Sequence, residues 1–340
     1  MNVQWRSYGW QEPGAEEIPP LKKNANFVGV LMLALIGAAF FLPSLLLLFL
    51  QITGAADMSM PQYGLGTTGY TLFSMASYLL YLALPSIAVA LIMRRDLRPF
   101  PTKRLAPSVF IPAVMAGLGL VVLANLVASI LMNILASFGF PWPNSASVMD
   151  KSVLSLVLSI VSTAVLPALV EEMVFRGYVL GALRPQGDGL AIVLSAMLFG
   201  LLHGNLLQIP FAFILGLIFA YLTVQTGSIW PAVLIHFLTN AFSVVLEYAG
   251  QFLPNEGAQG MLNGAAFAVM AVVGIIGTAI LWAGHRDGDT AKTALLRPVG
   301  NGFSRFTVGR RAGWILTAPA MLIGLIGLVL MTVLNVVTAW

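Results

Sequence analysis

Nine apolar runs, divided by polar or Pro/Gly-rich connections, set the limits on what this chain can become. They cover roughly residues 26–52, 69–93, 108–138, 152–183, 189–203, 207–225, 229–249, 261–283 and 313–337. A helix needs about 20 apolar residues to cross the hydrocarbon layer of a bilayer. Backbone polar groups there have no water to bond, so each segment must satisfy its own. Only 9% of the residues are charged and 59% are hydrophobic, against about 25% charged in soluble domains. The expected fold is an all-α, polytopic transmembrane helical bundle of eight or nine membrane segments. The fifth run is the exception. At about 14 residues it reaches only roughly 21 Å, too short to span alone, and is expected to line a cavity against its neighbours.

The basic residues give an orientation. With the N-terminus in the cytoplasm, the inner segments hold Arg6, Lys22, Lys23, Arg94, Arg95, Arg98, Lys103, Arg104 and Arg184. The last inner loop adds Arg286, Lys292, Arg297, Arg305, Arg310 and Arg311, which makes fifteen of the 17 Lys and Arg. Such an asymmetry is the positive-inside bias, and it predicts an N-in, C-out chain. The same clustering accounts for the net charge of +4, so no nucleic-acid partner is implied. The first 25 or so residues are polar, with Glu12, Glu16, Glu17, Lys22 and Lys23. A first apolar run that starts this late and lasts this long reads as a signal anchor rather than a cleaved signal peptide. The absence of cysteine excludes thiol nucleophiles, disulfides and Cys-ligated metals. Gly64-Leu65-Gly66-Thr67-Thr68-Gly69 matches the dinucleotide-binding glycine pattern, but no strand precedes it, and the pattern has meaning only between a strand and a helix. It is read as an outer loop.

Inside the fourth run stands Glu171-Glu172-Met173-Val174-Phe175-Arg176. Each unpaired charge at mid-bilayer costs roughly 2.5–3.5 kcal/mol even on the lower scales. Helices keep such residues when they pair or face a wet cavity, so a functional site is the default. Glu172 and Arg176 are four apart with the acid first, the favourable order for an intrahelical ion pair. Glu171 lies about 100° round the helix with no basic partner at that spacing. Glu172–Arg176 is therefore expected to be a structural ion pair, and Glu171 to be free for chemistry.

Two of the three histidines also fall inside apolar runs. His203 closes Phe199-Gly200-Leu201-Leu202-His203, and His236 and Asn240 share one helical face. His285, beside Arg286, is expected to be a solvated loop residue. Counted from the cytoplasmic end of each run, Glu171, His203 and His236 lie roughly 20, 21 and 12 Å deep. Three segments thus bring ionisable groups to compatible depths. Singly, a His or Asn at such a depth is often only an interhelical hydrogen-bond partner worth about 1 kcal/mol. Their joint occurrence in a chain otherwise nearly free of ionisable groups is what points to a site. Pro167, one turn before Glu171, removes the N–H that would bond Thr163. It predicts a kink that admits water or a simple curvature.

Glu171-Glu172-x-x-x-Arg176, Phe199-x-x-x-His203 and His236-x-x-x-Asn240 resemble, in this order, the three signature motifs of the type II CAAX prenyl protease and bacteriocin-processing (CPBP/Abi) intramembrane proteases. The resemblance covers about residues 150–250 and shows no departure at the motif positions. It divides the chain into a polar N-terminus (1–25), N-terminal membrane helices (26–150), a protease-like core (151–250) and C-terminal helices (251–340) with a basic loop at 284–311. It implies a peptidase whose cavity opens to the cytoplasmic side and whose substrate is a membrane-associated or lipidated peptide. By the same resemblance Glu171 is the general base that activates water, and His203 holds and polarises that water. His236 and Asn240 donate to the oxyanion, with Phe199 as motif support. Zinc on Glu171, His203 and His236 and a metal-free glutamate mechanism are both open. The expected location is multi-pass in a membrane, the bacterial inner membrane with a cytoplasmic N-terminus. Prenylated tails, bacteriocin leaders and anti-sigma factors all remain as substrates, and the oligomeric state is unassigned. Two other classes stay in view. A proton-coupled carrier would use the same acids and histidines as a relay, although the paired broken segments of inverted repeats are not visible. An idle scaffold for membrane partners is the third.

Overall fold

The computed structural model describes residues 18–96, 101–139, 149–297, 299 and 306–339. The sequence expectations for Arg6, Glu12, Glu16, Glu17, Arg98 and Arg305 lie outside them. The chain is an all-helical membrane bundle. Among the described residues, eight helices are long and apolar enough to cross a membrane, and a ninth, Asp188–Leu202, is shorter. In chain order they are α1 (Ile18–Ile52), α2 (Gly66–Ile92), α3 (Pro107–Ser137), α4 (Val153–Gln186), α5 (Asp188–Leu202), α6 (Ile209–Thr226), α7 (Trp230–Gly250) and α8 (Glu256–Arg286). Two short helices follow, α9 (Thr290–Ala294) and α10 (Val308–Leu316), and then α11 (Pro319–Ala339).

All nine apolar runs form helices, and the largest departure concerns the last. The run expected at 313–337 is broken at Thr317-Ala318, because Pro319 cannot continue a preceding helix. The part before the break belongs to α10, which carries Arg310 and Arg311. The basic segment 284–311 is likewise not all loop. His285 lies in the last turn of α8, exposed as expected, but within 3.1 Å of Thr293 Oγ1 on α9 through Nδ1. Gly66 opens α2, so the glycine pattern straddles a helix start, with no strand before it among the described residues.

Two apolar clusters organise the packing. One gathers α1, the second half of α4, α5, α10 and α11 around Phe27, Leu31, Phe175 and Phe199. The other joins α3, α6 and α7 around Val121, Phe219 and Ile235. Hydrophobicity alone does not hold helices together in lipid, so close approach of small residues takes its place. At the α3–α8 crossing, a Cβ on Gly119 would stand 2.8 Å from the Gly274 backbone. The short α5 is buried between neighbours, against α6 on one side and the end of α4 on the other. Just past its end lies Gly204, which has φ +61°, a conformation glycine adopts without strain. There the Asn335 amide of α11 donates to the Gly204 carbonyl at 3.0 Å. The C-terminal helix thereby fixes the end of α5 on which His203 sits.

Candidate active site

Helix α4 is not a uniform α-helix. π-helical turns run over Val161–Val165 and Met173–Val179 and bracket the short α-helical stretch that carries both glutamates. Such turns recur at functional sites, and each shifts the register of the side chains beyond it. Pro167 follows the first of them. Its missing N–H leaves the Thr163 carbonyl without its α-helical donor, and the Asn240 amide of α7 donates to that carbonyl at 2.9 Å. The proline expected to disturb α4 thus provides a docking point for α7.

Glu172 and Arg176 are both fully buried, with Arg176 Nε 3.1 Å from Glu172 Oε2. That separation makes an ion pair, but the approach lacks hydrogen-bond geometry. The guanidinium carbon lies 4.5 Å from the centroid of the Phe199 ring and 5.1 Å from that of Phe219. Cation–π attraction of this kind is worth up to about 2 kcal/mol when desolvated. Phe199 belongs to the first apolar cluster and Phe219 to the second. Arg176 therefore bridges the two halves of the core.

The expected pairing is present but incomplete, because Glu172 has a second partner. His236 Nδ1 lies 3.0 Å from Glu172 Oε1, and its ring stacks on Phe219 at 5.3 Å and 24°. A carboxylate only accepts, so Nδ1 carries a proton and the other ring nitrogen, Nε2, is turned away from Glu172. Nε2 stands 3.8 Å from Glu171 Oε2, too long for a direct hydrogen bond. The three side chains form a row, Glu172–His236–Glu171, from the closed interior outward. Side-chain exposure separates its ends: 0% for Glu172 and 15% for Glu171. Of the two adjacent acids, Glu171 alone can meet solvent or substrate.

Glu171 has one further partner that the sequence reading missed. The Tyr78 hydroxyl of α2 donates to Glu171 Oε1 at 3.0 Å, and Tyr81 packs edge-on against Tyr78 at 5.4 Å. The signal was available, since a buried tyrosine hydroxyl usually finds a partner and both lie in an apolar run. Phe219 was missed too, and nothing in its own apolar run, which also holds Phe211, Phe213 and Tyr221, marks it.

His203 approaches the Phe199 carbonyl through Nδ1 at 2.8 Å. A carbonyl only accepts, so Nδ1 bears the hydrogen and a neutral His203 presents a lone pair at Nε2. His203 and His236 both pack against Phe199, at 5.0 and 6.2 Å between centroids. One ring thus gathers both histidines around a common site. The structure brings together Glu171, Glu172, Arg176, Phe199, His203 and His236, with Asn240 one turn beyond His236 and held to Thr163. A metal set does not emerge. No group of three His, Asp or Glu side chains able to hold an ion is found among the described residues. As placed, Glu171, His203 and His236 do not form such a group.

The row of two carboxylates and an imidazole, with one accessible acid at its end, is the candidate site of this membrane bundle. Residues 153–242 match the family model of the Rce1-like type II CAAX prenyl endopeptidases, which bears out the resemblance carried by the three motifs. Among curated proteins, the chain is 27% identical over 119 residues to YdiL of Bacillus subtilis, named as a membrane peptidase, covering 34% of this chain and 48% of that one. It is 27% identical over 147 residues to the membrane-embedded CAAX protease MroQ of Staphylococcus aureus, covering 40% and 58%. An uncharacterized 24.3 kDa protein of Escherichia coli is 28% identical over 180 residues, covering 51% and 79%. The chain spans about half the length of YdiL and somewhat more of MroQ. No solved structure matches it.

Proposed function

We propose that this protein is an intramembrane endopeptidase that hydrolyses a peptide bond of a membrane-associated or lipidated peptide, with Glu171 as the general base. The observation that carries this reading is the contrast between the two acids: Glu171 is accessible and faces the free edge of His236, while Glu172 is sealed behind it. Glu171 takes a proton from water as the oxygen attacks the scissile carbonyl. It then returns the proton to the departing amine, so that one carboxyl serves as base and acid in turn. The Tyr78 hydroxyl fixes the carboxylate orientation. His203, with its Nδ1–H committed to Phe199, offers the Nε2 lone pair to hold the attacking water.

His236 donates from Nε2 to the oxyanion when it carries both ring protons, with Nδ1 held on the Glu172 carboxylate. Glu172 is therefore a positioning residue as well as half of an ion pair. Asn240 spends one amide hydrogen on Thr163 and keeps the second for the oxyanion. A donor of this kind is worth about 2.7–4 kcal/mol of transition-state stabilisation. An active side facing the cytoplasm is what the family resemblance implies, in line with the depths counted from the apolar runs. A carrier using the same acids gains no specific support from this geometry.

The test is cleavage mapping of membrane peptides by the purified full-length protein, with and without chelator. Loss of a positioned base costs about 10²–10⁴-fold, so Glu171→Gln should lose turnover by that factor while still binding substrate. Proton-coupled transport with no cleavage of any peptide would overturn the reading. Inactivation by chelator, reversed by zinc, would overturn the metal-free form of the mechanism.

A further inference from the structure

A groove of about 650 Å³ lies beside the site but shares none of its residues. Its walls are apolar, with Val165 and Leu169 of α4 facing Val233 and Phe237 of α7. Its mouth is not. Lys103, Arg104, Ser228 and Trp230 line that end. The 101–103 segment is pinned there by backbone bonds, Ile229 N to the Pro101 carbonyl at 2.8 Å and Lys103 N to the Gly227 carbonyl at 3.2 Å. Lys103 and Arg104 are exposed. Ser228 is 1% exposed, and its hydroxyl has no hydrogen-bond partner among the described residues. Helix α7 begins at this point without a side-chain cap, which leaves backbone N–H groups and the positive end of its dipole at the mouth.

We propose that this groove is a binding site for an anionic phospholipid, with an acyl chain along α4 and α7 and the phosphate between Lys103, Arg104 and Ser228. Both halves of the groove are needed for the assignment. Two cations, an unpartnered hydroxyl and a helix N-terminus select an anionic head. A wall of branched and aromatic side chains running roughly 10 Å down α7 selects a tail and disfavours a free phosphate. Basic pockets between membrane helices take acidic lipid heads for the same reasons. The groove backs onto the stretch of α4 that carries Pro167 and the first π turn, so its occupant touches the segment that positions Glu171.

Delipidated full-length protein, with phosphatidylglycerol, phosphatidylcholine and oleate as probes, tests this by native mass spectrometry and thermal melting. Phosphatidylglycerol should be retained and should raise the melting temperature, with phosphatidylcholine weaker by about tenfold or more. The Lys103→Gln/Arg104→Gln double variant should abolish that preference, and Lys22→Gln/Lys23→Gln, exposed elsewhere on the chain, should keep it. Should the double variant not fold, Leu169→Trp fills the wall and should expel the lipid. Equal retention of the two phospholipids, unchanged binding in the double variant or in Leu169→Trp, or oleate competing as well as phosphatidylglycerol would each overturn the assignment. None of these readouts depends on peptidase turnover, so either proposal can fail alone.

Discussion

Glu171 and Glu172 share a backbone and almost nothing else. One meets a tyrosine hydroxyl and the outer edge of an imidazole, the other an inner imidazole edge and a guanidinium clasped by two rings. Their Gln variants should differ accordingly. Glu171→Gln is expected to fold normally and lose turnover. Glu172→Gln should lose folded yield and, in whatever survives, the orientation of His236; turnover per folded molecule separates the two. If Glu172→Gln is the inactive, well-folded variant, the roles are reversed. Arg176→Ala should destabilise by about 3–5 kcal/mol, because it leaves the Glu172 charge buried and uncompensated. Arg176→Lys should recover only part of that in detergent melts, since an ammonium keeps the charge but not the flat face that two rings can hold. Tyr78→Phe removes one hydrogen bond to a charged acceptor, worth roughly 1.5–3 kcal/mol, and should lower kcat together with a modest drop in melting temperature.

Helix α4 shows how an element can be legible in sequence and still hold a surprise. Its span, the Glu172–Arg176 pair and the disturbance at Pro167 all followed from spacing, apolar run length and the missing proline N–H. The π turns did not; they lie against α7 and α5, contacts between segments that local composition does not encode. The contact of Glu172 with His236 stayed hidden for a related reason. Helical spacing relates residues within one segment and is silent on which face of α7 meets which face of α4. Tyr78 was missed because the matched motifs begin at α4, whereas the site recruits α2. The Pro167–Asn240 arrangement makes a prediction of its own. Pro167→Ala returns an N–H to the Thr163 carbonyl, which then shares its two lone pairs between that N–H and Asn240, so the bond that docks α7 weakens and α4 can regain a regular turn. The melting temperature should rise or hold while turnover falls. A fall in stability with turnover intact would show that the Asn240–Thr163 bond has no part in positioning.

At the scale of the whole molecule, the site sits on the seam between two apolar clusters and is braced from outside the matched segment. Asn335 on α11 reaches the Gly204 carbonyl beside His203, and a Cβ on Gly204 would come within 2.8 Å of the Asn335 amide. Gly204→Ala is therefore expected to push α11 away from the end of α5. The melting temperature should drop, together with turnover, whereas Asn335→Ala should show a smaller change in the same direction. A Gly204→Ala protein with wild-type stability would mean that α11 yields without cost. The order of the nine segments was readable from apolar run lengths. The seam was not, because the two clusters are built from residues far apart in the chain.

The unequal exposure of the two acids also bears on how the protein can be counted. A lipid-soluble carbodiimide modifies carboxyl groups that it can reach, and within α4 it can reach Glu171 but not Glu172. Labelling of that helix should therefore stop at one adduct per molecule, on a peptide containing Glu171, and rise to two only when the bundle opens. The stoichiometry becomes a titration of intact sites that needs no substrate. Such a titration would give an unknown cleavage assay its denominator before its numerator has been found.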